Sequence, residues 1–426
     1  MKKNILIYPS GAENAIELYN SIKDSVDITV IAASGKADIS ELIYRNKVEY
    51  LPYVQSENFI EALNTLIKDR NIHYIFPTHD SISLFLSQCK DQIDCEIITS
   101  SYETNRICRF KRETYKVFKG FDFCPNIFEG LVGEKDYPIF SKPNVGQGSK
   151  GIFIVQNRDE HAGLMNSEDD LLFVEYLPGK EFTIDCFTNR NGALQFVGPR
   201  ERIEIQMGIS FRSKSVVKKD QLRFIEIAEQ INAKLEFRGL WFFQLKEDNK
   251  GTLKLLEIST RASGTMGYFR HMGVNLPLIT LSDYFGLDSE IVSNTYDLEL
   301  YRATHNRYKY SNEYSSVYID FNNTIFNDGS LNITLISFIY QCKNLNKSVY
   351  LLVNAEDLYE DILIEYNICK TIFDKIIVLN DKEKKSDLIE KSESIFIGNC
   401  LTDKKELVKL KVPVIAVDMV NSLLFN

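Results

Sequence analysis

Residues 139–151, IFSKPNVGQGSKG, carry the most specific chemistry in the chain. Lys142 ends an apolar β-strand, a glycine-rich turn follows, and residues 152–155 read as a second strand. A lysine at a strand end beside a flexible glycine loop can hold a polyphosphate. The glycines let backbone N–H groups approach phosphate oxygens, and the ammonium offsets their charge. Gly146, Gly148 and Gly151 also satisfy G-x-G-x-x-G. That pattern binds a dinucleotide only when a helix follows and points its N-terminus at the pyrophosphate. Alternating β-branched and aromatic residues follow here, so the stretch predicts a β-hairpin lid.

Other polar residues are spaced to match. Lys111 precedes the lid, Glu175 and Glu181 flank an LPG turn, and Arg200 and Arg202 share a strand. Gln244, Glu257, Ser259 and Arg261 come last. Two lysines and a glycine lid suit a triphosphate, and a carboxylate just after a turn suits ribose hydroxyls. Gln244 and Glu257 fall on facing strands of a hairpin turning at residues 248–251. Glu257 and Ser259, two apart, share a face of one strand. Oxygen ligands gathered there are the set that Mg²⁺ takes, usually alongside substrate phosphates. Arg200 and Arg202 have two readings: a plain exposed face, or contacts to a substrate carboxylate or phosphate.

The apolar patterning supplies a scaffold. Short apolar strands at 4–8, 27–32, 48–51, 73–77 and 96–100 alternate with helical spacing at 12–23 and from Phe59 onward. Such alternation predicts a parallel, doubly wound sheet. It has no glycine fingerprint after its first strand, since PSGAEN holds one Gly. Thr78, His79 and Asp80 follow a strand's C-terminal end, where open α/β sheets place ligands. They are read either as substrate contacts or as a strand-to-helix loop with Asp80 capping the helix. A helix with a basic face is expected over 102–120, and an amphipathic helix over 220–234. Trp241, Phe242 and Phe243 are expected in the core, and His271 in a structural role.

The chain's 426 residues suggest two to four domains. A net charge of −9 argues against a nucleic-acid-binding face, though not against nucleotides, which need only local positive charge. No apolar run reaches membrane-spanning length, so no membrane partner is expected. Eight cysteines without C-x-x-C pairs suggest reduced thiols and a cytoplasmic protein. Five histidines without zinc spacing make a catalytic zinc an unsuitable reading.

In this order of parts, residues 102–287 resemble an ATP-grasp domain, and residues 1–101 resemble the Rossmann-like domain that precedes one. The fold class implied is α/β and α+β multidomain, with a two-subdomain ATP-grasp core. The resemblance implies that Lys111 and Lys142 hold phosphates and that Gly146, Gln147, Gly148, Ser149 and Gly151 form the lid. It places Glu175, Tyr176 and Leu177 against adenine and Glu181 on ribose. It gives Gln244 and Glu257 to Mg²⁺ and Arg261 to a phosphate or acyl phosphate. Ser259 stands where the family usually has a third, Asn ligand, which implies weakened or water-mediated metal binding. HMGVNLP (271–277) and the Gln–Glu pairing are similar to the carbamoyl-phosphate-synthase-like and amino-acid-ligase branches. The implied activity is ligation: ATP and Mg²⁺ activate a small-molecule carboxylate as an acyl phosphate, and an amine displaces phosphate. A non-catalytic nucleotide-binding sensor or scaffold is the rival class. The sequence names neither substrate and leaves a homodimer open.

Residues 288–314 are polar and rich in Tyr and Asn, and read as a linker. Residues 315–426 bring five further apolar strands and resemble a small haloacid dehalogenase-like (HAD) domain. That family's first motif, D-x-D-x-T, reads Asp320-Phe321-Asn322-Asn323-Thr324. The expected acid is thus Asn322, which cannot donate a proton to a leaving alcohol. Asn354 and Asn399 replace two further motif residues, Asp403 remains, and the lysine is open among Lys382, Lys384 and Lys385. A degenerate domain is favoured, with a bifunctional ligase–phosphatase as the alternative.

Overall fold

Apolar runs buried on both faces build the sheet at the start of the chain. Ile5 and Ile7 pack with Leu18 and Ile22 of the helix Glu13–Ile22. Leu6 and Tyr8, pointing the other way, pack with Phe59, Leu63 and Ile67 of the helix Phe59–Asp69. Burial on both sides explains why the strand reads as a continuous apolar run instead of an alternating one. The strand order is Glu49–Tyr50, Ile28–Ser34, Lys3–Tyr8, Tyr74–Pro77, Glu96–Ile97, with every pairing parallel. The order reverses between Lys3–Tyr8 and Tyr74–Pro77, so the loops after those two strands flank a topological switch point.

This computed structural model describes residues 2–424 except 147, 304, 312, 328, 329, 381 and 382. Gln147 and Lys382 therefore lie outside the described residues. The chain divides into two units, Met1–Thr304 and His305–Asn426. No helix among the described residues is long and apolar enough to cross a membrane.

The rest of the first unit holds two antiparallel sheets. The smaller runs Ile127–Phe128, Leu171–Glu175, Ile139–Pro143, Phe153–Val155. Its last pair is the expected lid hairpin, registered Ile139 to Val155 and Ser141 to Phe153. The larger sheet runs Leu253–Ser259, Gly239–Glu247, Glu181–Thr188, Leu194–Gln206, Ile209–Ser215, Glu299–Tyr301. Trp241 is 1% exposed, stacks on Phe237 at 3.9 Å and donates its indole N–H to Thr188. Phe243 is fully buried beside it. Phe242 is buried as well, 3% exposed, and also lines a cavity.

Two expectations need correction. The single helix over 102–120 is two, Tyr102–Arg109 and Lys111–Val117, broken at Phe110. The lid strand diverts the chain. The Lys111 N–H donates to the Asn144 carbonyl at 3.2 Å, and the Arg112 N–H donates to the Asn144 side chain at 2.9 Å. No Gly or Pro marks the break, so sequence gave no sign of it. Nor is the polar segment from 288 a linker throughout. Residues 288–304 belong to the first unit, and Glu299–Tyr301 completes the larger sheet by pairing with residues 212–214.

In the second unit five parallel strands lie in the order Lys375–Leu379, Ser348–Asn354, Ser316–Asp320, Ser394–Ile397, Val414–Ile415. Asp320 ends the central strand, again at the point where strand order reverses.

Candidate active site

Lys142 leaves the lid strand almost completely buried, 6% exposed. Its ammonium donates to the Tyr115 hydroxyl at 2.5 Å and to the Leu256 carbonyl at 3.0 Å. Burial, with the neighbouring charge of Lys111 adding to it, pushes the Lys142 ammonium down to about 7. Glu257 and Glu181 only partly offset this. Lys111 starts its own short helix, donates to the Gly146 carbonyl at 3.2 Å and lies 3.8 Å from Glu257. The two ammonium groups therefore gather near the lid turn, with the Glu257 carboxylate beside Lys111.

Phosphate anions placed there favour the charged form of Lys142. MgATP binding is therefore expected to take up close to one proton at about pH 8.5, where free Lys142 is mostly neutral, and none at about pH 6. Calorimetry in two buffers of different ionisation enthalpy reads this directly; equal heats at the higher pH would contradict it.

The two lysines line a cavity of about 240 Å³ with Gly146, Gly148, Ser149, Glu175, Tyr176, Leu177, Glu181, Gln244 and Glu257. Phe140, Val174 and Leu255 give it apolar walls. It is tighter than the roughly 300–1,000 Å³ usual for small-molecule sites, because the lid rests on an opposing turn. There Met207 and Gly208 have φ of 49° and 76°, the left-handed pair of a type I′ hairpin. A Cβ on Gly208 would come within 2.9 Å of the backbone at Gly148 and Ser149, so only glycine fits beneath the closed lid. Gly151 bounds the lid with φ 69° but does not line this cavity.

Gln244 and Glu257 are direct cross-strand partners, and both line the cavity. One carboxylate and one amide oxygen fit a magnesium ion whose remaining ligands are phosphate oxygens and water. Among the described residues no group of three His, Cys, Asp or Glu side chains could hold a metal alone. Ser259 does not join this set. Its hydroxyl donates to Asp80 at 2.5 Å and it lines neither cavity. Glu175 accepts from the Asn126 N–H at 2.8 Å, and Glu181 pairs with Arg202 and with Lys246 at 3.6 Å.

A second cavity of about 360 Å³ adjoins the first and shares Gly148, Arg202, Gly208, Gln244 and Glu257 with it. Further lining comes from the two switch-point connections: Ala12, the first helical residues Glu13 and Asn14, and Thr78 and His79. Asn14 ties them to the larger sheet by donating to the carbonyls of Thr78 at 2.6 Å and Ala262 at 3.3 Å. Arg261 lines this cavity and donates from Nε to Asp80 at 2.9 Å. Burial opposes the charge on Asp80, but Arg261, Ser259, Arg109 and His79 together outweigh it and hold the carboxyl at about 2. Asp80 is not the helix cap; the His79 side chain accepts from the Ser81 N–H instead.

Arg202 is 8% exposed, donates to Glu181 and the Gly208 carbonyl, and keeps a buried Nε without a partner. Arg200 differs from the exposed face that its spacing allowed. It is fully buried, donating to Asp185 at 2.9 Å, to Ser263 at 2.8 Å and to Thr265. Three side-chain partners thus hold the guanidinium in place at the cavity edge. Asp80, Tyr115, Gly208, Glu13 and Arg302 were not assigned these roles from sequence. Only Asp80 carried a signal, its place after a strand at the switch point.

In the second unit the Lys385 ammonium lies 2.8 Å from both Asp320 and Asp403. Lys384 instead pairs with Glu406 at 2.7 Å. The Asn322 amide donates to Asp357 at 3.1 Å, and Thr324 donates to the Asn322 carbonyl at 2.9 Å.

A parallel domain followed by two antiparallel sheets that face each other across a lid-covered cavity is the ATP-grasp fold, and the first unit has it. Residues 167–305 match a family model described as ATP-grasp in the biosynthetic pathway with Ter operon. No curated protein matches the sequence. Among solved structures the chain is similar to the biotin carboxylase of Campylobacter jejuni in complex with β-γ-ATP. The two are 18% identical, with 68% of this chain and 72% of that one covered at a TM-score of 0.56. It is also similar to N5-carboxyaminoimidazole synthetase from Staphylococcus aureus complexed with ADP, at 16% identity, 68% and 79% coverage, and TM-score 0.56. An L-amino acid ligase from Bacillus licheniformis gives 15% identity, 66% and 74% coverage, and TM-score 0.54.

Proposed function

We propose that the first unit is an ATP- and Mg²⁺-dependent ligase that activates a carboxylate and joins it to an amine. The observation that carries this is the junction of the two cavities. Lys111, Lys142, Gln244 and Glu257 surround one, and Arg202 and Arg261 line the other, with a shared wall between them. A carboxylate oxygen attacks the γ-phosphorus, the bond to the β-phosphate oxygen breaks, and ADP leaves. The amine nitrogen then attacks the acyl carbon, phosphate departs, and the amine's proton is lost to solvent. Positioning and charge neutralisation supply the rate, so no side-chain nucleophile is needed. Glu257 and Gln244 would hold magnesium, which would supply positive charge against the phosphates. Arg261 would steady the transferred group, Glu181 would meet ribose, and Glu175, Tyr176 and Leu177 would line the adenine end.

The experiment is ADP release by the full chain with MgATP and pools of carboxylates and amines. Release that requires both pools supports the ligase. Tight MgATP binding without release under any pool supports the binding-only rival.

For the second unit we infer a HAD-like domain with impaired chemistry. The support is Lys385 bridging Asp320 and Asp403 at the end of the central strand, while Asn322 stands where an acid is required. It is expected to turn over p-nitrophenyl phosphate negligibly. Rapid turnover that disappears in Asp320→Asn would reverse this reading in favour of the bifunctional enzyme.

A further inference from the structure

Outside the wall it shares with the first cavity, the larger cavity is lined by an ion pair that the ligase chemistry does not use. Arg302 follows the edge strand Glu299–Tyr301, donates to the Gly264 carbonyl and pairs with Glu13 at 2.7 Å. The two partners are unequal: the Arg302 side chain is 18% exposed and that of Glu13 is 57% exposed. Arg302 is therefore fixed in the wall, whereas Glu13 can swing into solvent with little loss. Glu13 also opens the helix Glu13–Ile22, whose N-cap, Ala12, offers no capping side chain. An exposed carboxylate thus occupies a place bounded by a fixed guanidinium and an uncapped helix N-terminus, both of which favour an anion. Within that shared wall the buried Arg202 Nε has no partner. Of the charged side chains lining the cavity, Arg200, Arg202, Arg261 and Arg302 face Glu13 and Glu257, and Glu257 is the residue suited to magnesium.

Resting on the carboxylate-activation reading, we propose that this pocket takes a dianionic substrate. Its reacting carboxylate lies at the Arg202 end, beside the phosphates. Its second anionic group, a carboxylate or a phosphate, displaces Glu13 from Arg302. Glu13 is a stand-in for the ligand, and Arg302 reads the substrate's length and charge. A monocarboxylate would leave the Arg302–Glu13 pair closed and gain nothing from that end of the pocket.

The test uses the full chain, MgATP and hydroxylamine as the amine, so that no natural amine need be known. Butyrate and lactate are compared with succinate, glutarate and phosphoglycolate by hydroxamate and ADP formation. The dianions are expected to exceed the monoanions at least about tenfold in kcat/KM, and succinate against phosphoglycolate identifies which anion is preferred. Arg302→Gln should raise the dianion KM about 10–100-fold with the KM for MgATP unchanged, the loss typical of a buried charged contact left unmade. Glu13→Gln should lower the dianion KM. If Arg302→Gln fails to fold for want of its bond to Gly264, Arg302→Lys and Glu13→Gln carry the comparison. Monoanions as effective as dianions, or a Glu13→Gln enzyme with an unchanged dianion KM, would overturn the proposal while leaving carboxylate activation standing. Failure of every carboxylate to drive ADP release would overturn both.

Discussion

Lys142→Met is expected to abolish ATP-dependent turnover and to make the protein more stable. The ammonium is almost fully buried, and its two partners are neutral oxygens, the Tyr115 hydroxyl and the Leu256 carbonyl. Burial and the nearby Lys111 charge outweigh what Glu257 and Glu181 return, which is why its protonation is pushed down to about 7. The unfolded chain holds this proton up to its ordinary lysine range. Between about pH 7 and 10 the unfolded state therefore binds more protons than the folded state, and this group's contribution to stability rises with pH. Below pH 7 its full penalty is present. Methionine, similar in length and uncharged, removes that penalty. The variant should gain on the order of 2–4 kcal/mol at neutral pH, with the gain fading towards about pH 10. Turnover should fall about 10²–10³-fold, since a group that meets charge on the transferring phosphoryl is lost. Denaturant titrations at several pH values and an ADP assay read both effects. A less stable variant, or one that keeps its activity, would contradict the assignment.

Asp80→Asn is expected to reduce both stability and rate, although Asp80 belongs to the parallel domain and not to either clamping sheet. Its carboxylate binds the Ser259 hydroxyl and the Arg261 guanidinium, so it fixes the end of the strand Leu253–Ser259 against the switch-point loop. Both members of the Asp80–Arg261 pair are about 15% exposed, and removing one charge leaves the other poorly hydrated. The loss should be about 2–4 kcal/mol. Arg261 would still donate to the Ala262 carbonyl and lie over the Phe242 ring, but its Nε would no longer be anchored. A shift of about 1 Å in such a group can lower turnover on the order of 10²-fold. The pH signature follows from a folded carboxyl held at about 2, below its ordinary value. The stabilisation is fully present above about pH 4 and is lost as pH falls towards 2, so wild type and Asp80→Asn should converge in that window. Equal stabilities at neutral pH, or an unchanged rate, would show Asp80 to be incidental.

The contrast between these two residues explains what was legible in the sequence. Lys142 sits in a pattern with a local cause: an apolar strand, a glycine turn and a second strand. The lid hairpin and the Gln244–Glu257 register emerge in the structure as that pattern implies. The parallel sheet was equally legible, because strands buried on both faces leave unbroken apolar runs. Asp80, Tyr115 and Arg302 act through partners distant in sequence: Ser259 is 179 residues from Asp80, Leu256 is 141 from Tyr115, and Glu13 is 289 from Arg302. No local spacing encodes such meetings. Ser259 looked like a substituted metal ligand from its register and the family resemblance, and only its contact with Asp80 reveals another task. Residues 299–302 looked like linker because a three-residue edge strand is too short to carry an alternating pattern.

The central claim is that a carboxylate oxygen attacks ATP in the lid-covered cavity. Supplying carboxylates labelled with heavy oxygen, together with MgATP and hydroxylamine, tests it in one step. If an acyl phosphate forms, one labelled oxygen per turnover must pass to the released inorganic phosphate, in proportion to the ADP produced. ADP accompanied only by unlabelled phosphate would mean that water, not the carboxylate, takes the phosphoryl group.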